Sequence, residues 1–121
     1  MAPAPYILVV DDDADIRESF QELLEDSGYV VRTAVDGEDA ISMLVAQRDH
    51  PALILLDLMM PRKNGFQVLE MLRGSVLLVD VPVVVVSANM SATPAGAVAW
   101  LRKPLSADLL LAAVGKHMRA A

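Results

Sequence analysis

The sequence predicts an α/β fold: a doubly wound parallel sheet with helices on both of its faces. The first supporting observation is that short apolar runs, rich in β-branched residues, alternate along the chain with segments of helical periodicity. The second is that three of the five runs have no polar alternation, as expected for strands buried on both faces. A chain of 121 residues suits one domain, here residues 1–121.

The five runs are predicted to be strands. They are Tyr6 to Val10, Tyr29 to Val35, Ala52 to Leu56, Val83 to Val86 and, more weakly, Val98 to Leu101. The fourth run ends the most apolar segment of the chain, Val76 to Val86, which is interrupted by Asp80 and Pro82. This segment is far shorter than the ~20 residues needed to span a bilayer, so no membrane insertion is predicted.

Four segments carry apolar residues at helical spacing and are predicted to be helices. The first, Ala14 to Ser27, ends before Gly28, a residue that favours a left-handed C-cap. The others begin after Asp36, after Asn64 and after Ser106, which is a favourable N-cap. The side chains predicted to face the core are Ile16, Phe20, Leu23 and Leu24; Ala40, Ile41, Leu44 and Val45; Phe66, Leu69 and Leu72; and Leu109, Leu110, Ala113 and Val114.

The composition excludes several classes of function. A net charge of −6 argues against nucleic-acid binding, which normally needs a basic face. The chain has no cysteine, so disulfides, thiolate metal sites and thiol nucleophiles are excluded, which fits a cytoplasmic location. A signal peptide would require a positively charged segment followed by an apolar stretch, and the N-terminus has no such pattern.

Polar residues follow the predicted strands at the edge where such sheets bind ligands. The first strand is followed by the acidic triplet Asp11 to Asp13, the third by Asp57, the fourth by Ser87, and the fifth leads to Lys103. If the first and third strands are neighbours, their ends lie about 5 Å apart, so Asp11 or Asp12 would face Asp57. Two carboxylates ~4 Å apart repel each other by about 4 kcal/mol at an effective dielectric constant near 20. A divalent cation removes that cost, and all-oxygen ligation suits Mg²⁺.

Taken singly, each of these residues has a structural explanation. An acidic triplet commonly lies at a helix N-terminus, where it interacts with the helix dipole, and a strand-end serine commonly caps a turn. Asp57 favours a functional site, because it ends an otherwise apolar run that a purely structural strand would not close with an acid. Mg²⁺ and Lys103 together would neutralise a phosphoryl group next to the one carboxylate left free to attack it.

Five stretches in order carry a resemblance to a known family. From about Tyr6 to its end, the chain resembles the receiver domain of two-component response regulators. The stretches are Ile7 to Asp12, Leu55 to Pro61 with Gly65, Val83 to Ala88, Gly96-Ala97, and Trp100 to Pro104.

The resemblance implies a fold and a chemistry. The five strands would lie in the order 2-1-3-4-5, and Asp57 would be the phosphorylated residue. Mg²⁺ would be held by Asp11, Asp12, Asp57 and the backbone carbonyl of Met59. The remaining site residues would be Lys103, beside the phosphoryl group, and the switch residues Ser87 and Trp100.

The resemblance also implies partners. The phosphoryl donor would be a phosphohistidine on a sensor histidine kinase or a histidine phosphotransfer protein, and a downstream protein would bind in response. The chain would then be no enzyme in the ordinary sense, but a phosphoacceptor that catalyses its own phosphoryl transfer and slow dephosphorylation.

Two features depart from the family pattern. Only fifteen residues separate Ser87 from Lys103, and Pro94 and Gly96 in that stretch both oppose helix formation. The fourth of the family's five helices is therefore predicted to be about two turns at most, or missing. The family usually has tyrosine or phenylalanine where this chain has Trp100.

Two other functions remain as alternatives. One is a pseudo-receiver that binds partners without phosphorylation, which the short segment from Ala88 to Ala97 favours. The other is a phosphatase similar to the haloacid dehalogenases, in which Asp11 of an Asp11-x-Asp13 motif would attack the substrate. The residues after Asp13 fit that motif poorly.

Overall fold

Five parallel strands form one sheet in the computed structural model, which describes residues 5–46, 49–60, 64–88 and 92–118. The strand order is β2-β1-β3-β4-β5, so the predicted fold and the implied order are both confirmed. The strands are β1 (Tyr6–Val10), β2 (Val30–Ala34), β3 (Leu53–Asp57), β4 (Val83–Ser87) and β5 (Ala99–Arg102).

Four helices cover the two faces of the sheet. They are α1 (Ala14–Asp26), α2 (Gly37–Ala46), α3 (Gly65–Arg73) and α4 (Ala107–His117). Successive residues of each central strand point to opposite faces, so Leu8 joins a core cluster with α2 and α3, whereas Val9 joins a second cluster with α1 and α4. β1, β3 and β4 are buried at every position, which explains their continuous apolar sequence. Within the described residues, no helix is long and apolar enough to cross a membrane.

Helix boundaries are set by side chains that bind the free N–H groups of the first turn. Asp13 accepts hydrogen bonds from two amides at the start of α1, and Ser106 accepts one at the start of α4. Asn64 caps α3 through a reciprocal pair of hydrogen bonds with Gln67. Gly28 has φ +95°, so it adopts the left-handed conformation predicted for the residue that ends α1.

The connection between β4 and β5 contains no helix in its described residues, 88 and 92–98. Gly96 has φ +94° and lies in a turn closed by a hydrogen bond from the amide of Ala97 to the carbonyl of Pro94. The chain then enters β5 directly. The predicted short or missing helix is confirmed for this part of the chain.

Three side chains predicted to face the core are exposed instead. Val45 is in the last turn of α2 and is 73% exposed, and Leu109 is in the first turn of α4, beside the buried Leu110. Phe66 lines an open groove whose other side is formed by residues 92–95. All three lie in the first or last turn of a helix, where the helical period alone overestimates burial.

Candidate functional site

The strand register places two acids side by side at the carboxyl edge of the sheet. Val10 of β1 pairs with Leu56 of β3, so Asp11, which follows β1, lies next to Asp57, which ends β3. The side chains of both acids are buried, although β1 and β3 end here. Ser87, which ends β4, is buried at the same edge.

Both oxygens of Asp11 are engaged. Its Oδ1 accepts a hydrogen bond of 2.9 Å from the amide of Asp13, and its Oδ2 lies 2.8 Å from Nζ of Lys103. The first contact shapes the loop from β1 to α1. The second joins β1 to the loop after β5, residues that are 92 positions apart in the chain.

The carboxylate of Asp57 makes longer contacts with its neighbours than the carboxylate of Asp11 does. Its Oδ1 accepts a hydrogen bond of 3.2 Å from the amide of Met59, and its Oδ2 lies 3.5 Å from Nζ of Lys103. Burial raises the pKa of Asp57, and the negative charges of Asp11 and Asp12 raise it further. Lys103 and the amide of Met59 oppose these effects and reduce the rise in pKa without cancelling it.

Because the pKa of Asp57 is raised in the folded state, the free energy of unfolding should depend on pH. The folded state holds a proton on Asp57 to higher pH than the unfolded state, so the carboxylate destabilises the fold as pH rises past the ordinary aspartate pKa. Replacing Asp57 by asparagine removes the penalty. In metal-free buffer at neutral pH, we expect Asp57→Asn to raise the free energy of unfolding by about 1 kcal/mol.

The gain should shrink as pH falls towards and below the ordinary aspartate pKa, where the wild-type carboxyl is protonated in both states. Urea denaturation of the wild type and Asp57→Asn across a pH series measures the difference. A difference that stays constant with pH, or a variant less stable than the wild type at neutral pH, would contradict the assignment of Asp57 as a destabilising buried charge.

Lys103 is the cation of the site. Burial alone would lower its pKa, but the hydrogen bond and charge of Asp11, together with the charge of Asp57, raise it overall, so the amine is charged at neutral pH. The amide of Lys103 donates to the carbonyl of Ser87 at 3.1 Å, which ties the loop after β5 to the end of β4. The bond from Lys103 to Pro104 is cis.

Three carboxylates lie close enough to surround one cation. One oxygen from each of Asp11, Asp12 and Asp57 falls within 4.8 Å of the others, and Asp12 is the exposed member of the three. The donors are all hard oxygens, which suits Mg²⁺, and the exposed side leaves room for the waters that Mg²⁺ retains. The residues present therefore fit the ion implied by the family resemblance.

The acids form the floor of an open pocket. Its walls are Asp13, Ile16, Met59, Ser87, Ala88 and Lys103. Met59 is 71% exposed at the rim, so its side chain borders the pocket without closing it. The structure thus brings together all the predicted site residues except Trp100.

Trp100 lies behind the pocket in β5. Its indole Nε1–H donates to the backbone carbonyl of Ser87 at 3.3 Å, and its ring is half-buried. The guanidinium of Arg102 lies 5.3 Å from the ring centroid. Trp100 therefore contacts the site through the backbone of Ser87.

Gly65 is required by a close backbone approach. A Cβ at this position would lie 2.6 Å from the carbonyl oxygen of Asp57 and 2.7 Å from the Cα of Leu58. The amide of Gly65 donates to the carbonyl of Leu58 at 3.0 Å. The start of α3 is thereby held against the end of β3, beside the candidate metal site.

One contact at the site was not predicted. The guanidinium of Arg17 donates from Nη1 to the backbone carbonyl of Asp11 at 2.8 Å. A signal for it exists in the sequence: Arg17 lies four residues after the N-cap Asp13, and helical side chains point towards the N-terminus of their helix. The side chain can therefore reach back to the end of β1.

Comparison with known proteins adds three findings. The family model of the response regulator receiver domain matches residues 7–115. The response regulator MprA of Mycobacterium tuberculosis is 40% identical over 119 residues, with 93% of this chain and 50% of that protein covered. The chain thus spans about half the length of the curated relatives it matches.

Solved structures agree in fold. The chemotaxis response regulator CheY4 of Vibrio cholerae is 29% identical and has a TM-score of 0.86, with 96% of this chain and all of that chain covered. A response regulator receiver protein from Pseudomonas putida is 30% identical with a TM-score of 0.84, with 96% and 99% covered.

Proposed function

The chain belongs to the family of response regulator receiver domains, and from that premise we propose that Asp57 accepts a phosphoryl group in a Mg²⁺-dependent reaction. The donor would be a phosphohistidine on a sensor histidine kinase or a histidine phosphotransfer protein, in the cytoplasm. Phosphorylation would then change how the domain binds a downstream protein. No nucleic-acid contact is proposed, in keeping with the net charge of −6.

The observation that carries the proposal is that Asp57 is the less engaged of the two buried acids at the site. Both oxygens of Asp11 have partners within 2.9 Å, whereas Oδ2 of Asp57 has only Lys103, at 3.5 Å. Asp57 also faces the open pocket. An attacking carboxylate needs a free oxygen that points to where the phosphorus arrives.

The proposed transfer balances simply. An oxygen of Asp57 forms a bond to phosphorus while the phosphorus–nitrogen bond of the phosphohistidine breaks, and the leaving imidazole nitrogen keeps the electron pair. Lys103 offsets the charge on the phosphoryl oxygens, and the Ser87 hydroxyl would donate to one of them. Asp11, Asp12, Asp57 and the Met59 carbonyl would hold Mg²⁺, which when bound supplies further neutralisation of the transferred group.

Ser87 and Trp100 are proposed to transmit a conformational change from the phosphorylated site to the surface of β5. Movement of Ser87 towards the phosphoryl group would disturb its backbone carbonyl, which accepts both the indole of Trp100 and the amide of Lys103. The ring of Trp100 also lies 5.3 Å from the guanidinium of the exposed Arg102. A shift at the site would thus reach the outer surface of β5.

One alternative keeps a supporting observation. A pseudo-receiver would bind partners in a single conformation, and the connection from β4 to β5, helix-free in its described residues, differs from the family pattern. A phosphatase that uses Asp11 as its nucleophile is disfavoured, because the amide of Asp13 and the amine of Lys103 occupy both oxygens of that side chain.

The test is treatment of the wild type with a small phosphodonor, with and without Mg²⁺, followed by intact-mass measurement and mapping of the modified peptide. We expect a gain of one phosphoryl group on Asp57 only when Mg²⁺ is present. In parallel, Mg²⁺ at 100 times its dissociation constant should add about 2.7 kcal/mol to the free energy of unfolding of the wild type and so raise its melting temperature.

Asp12→Asn is the companion variant for the metal. Since it removes the exposed ligand and leaves Asp57 in place, we expect a weaker response to Mg²⁺ and slower labelling at the same residue. Labelling that is independent of Mg²⁺, or that maps to a residue other than Asp57, would reject the proposal. Mg²⁺ binding without any labelling would favour the pseudo-receiver.

A further inference from the structure

We propose that Arg17 is a positioning residue for the magnesium ligand Asp12, acting through the backbone of the loop between β1 and α1. The inference rests on the proposed function, because it assumes that Asp12 binds Mg²⁺. It goes further in assigning a role to a helix residue that touches neither the metal nor the phosphoryl group.

The three candidate ligands differ in what holds them. The side chain of Asp11 is fixed by the amide of Asp13 and by Lys103, and that of Asp57 by the amide of Met59 and by Lys103. Asp12 is exposed, and among the described residues its side chain makes no hydrogen bond or ion pair. The direction of its Cα–Cβ bond is therefore set by its backbone alone.

Arg17 contacts that backbone. The carbonyl of Asp11, to which Nη1 donates at 2.8 Å, belongs to the peptide group that joins Asp11 to Asp12. A peptide group is planar, so fixing its oxygen fixes the plane and the Cα of the next residue with it. The amide on the other side of Asp11 is held by the carbonyl of Ala34 at 3.3 Å.

Arg17 is itself well anchored for this role. Its amide donates to the carbonyl of Asp13 at 2.9 Å, which places it in the first turn of α1, a helix that packs on the sheet through buried Leu24. The guanidinium is a planar donor that loses little freedom for each hydrogen bond it makes. Groups that orient metal ligands from outside the first coordination sphere typically contribute 10–100-fold to metal affinity.

Charge and positioning make opposite predictions for this residue. Removing a cation close to a metal site should tighten Mg²⁺ binding if only charge matters, because the repulsion between Arg17 and the metal is lost. If Arg17 instead orients Asp12, its removal should weaken binding. The sign of the change therefore separates the two roles.

The experiment is a Mg²⁺ titration of the wild type, Arg17→Met and Lys116→Met, followed by amide chemical shifts in NMR. Lys116→Met is the matched control, since it removes one positive charge from an exposed position in the last turn of α4. We expect about 10-fold weaker Mg²⁺ binding in Arg17→Met and unchanged binding in the control. Without metal, the Asp13 amide should exchange with solvent faster in Arg17→Met.

A second pair of variants tests whether the effect runs through Asp12. Adding Arg17→Met to Asp12→Asn should cause no further loss of Mg²⁺ affinity, because the positioned ligand is already gone. Arg17→Lys keeps the charge and one donor, so it should bind Mg²⁺ with an affinity between those of the wild type and Arg17→Met. This variant replaces Arg17→Met in the titration if Arg17→Met does not fold.

Unchanged or tighter Mg²⁺ binding in folded Arg17→Met, or an equal loss in the Asp12→Asn background, would overturn the inference while leaving the proposed function intact. If only Arg17→Lys folds, wild-type affinity in that variant together with unchanged exchange of the Asp13 amide would overturn it as well. A wild type that binds no Mg²⁺ would reject the proposed function, and this inference with it.

Discussion

Asp57→Asn is expected to take up no phosphoryl group from a small phosphodonor, at a Mg²⁺ concentration that labels the wild type fully. Asparagine has nearly the shape of aspartate but lacks the nucleophilic carboxylate. The neighbouring acids are not expected to replace it, because both oxygens of Asp11 already have partners and Asp12 is proposed to hold Mg²⁺. Intact-mass measurement over a time course reads the result directly.

Asp26→Asn provides the control for this variant. It makes the same chemical change at the exposed end of α1, away from the pocket, so its labelling should match that of the wild type. Asp57→Asn should also remain folded, since the substitution removes a buried carboxylate that destabilises the fold, as the raised pKa of Asp57 indicates. Full labelling of folded Asp57→Asn would move the acceptor to another residue.

Gly65→Ala is expected to destabilise the fold by about 2–3 kcal/mol, a large effect for a single added methyl group. The new Cβ would lie 2.6 Å from the carbonyl oxygen of Asp57 and 2.7 Å from the Cα of Leu58. Both are backbone atoms, so no side-chain rotation relieves the clash. Either the start of α3 or the end of β3 must move.

The movement should also reach the site, because the displaced carbonyl belongs to Asp57 itself. We therefore expect slower phosphoryl uptake in the folded fraction of Gly65→Ala, together with the lower free energy of unfolding measured in urea. Gly115→Ala is the matched control: nothing lies within 4 Å of its new Cβ, and alanine in α4 should add roughly 0.5–1 kcal/mol. Equal stability in the two variants would show that the close contact at Gly65 is easily relieved.

The fold was predictable because local signals and burial agree along most of the chain. Continuous apolar runs became the central strands, and Asp13, Asn64 and Ser106 mark helix starts with polar caps that are visible in the sequence. The positions of the acids at one sheet edge followed from the parallel arrangement alone. Those inferences need only the spacing of apolar residues along the sequence and the parallel direction of the strands.

Features set by tertiary contacts were harder to predict. The helical period placed Val45, Phe66 and Leu109 inside, but whether a neighbouring element covers a given turn is not written in the helix itself. Likewise, the residues near Lys103 do not reveal that its amine lies closer to Asp11 than to Asp57. That preference depends on how β1, β3 and β5 are spaced in the sheet.

The connection from β4 to β5 is short for a crossover between parallel strands. Eleven residues join Ser87 to Ala99, and a crossover between parallel strands usually takes a dozen or more. Deletions there should be poorly tolerated, because β4 and β5 are parallel and the connection must return the length of a strand before β5 can begin. Extra residues would cost little, since doubling a flexible loop adds only about 0.6 kcal/mol of closure entropy. The segment therefore marks a natural place for inserting a peptide or a reporter beside the pocket.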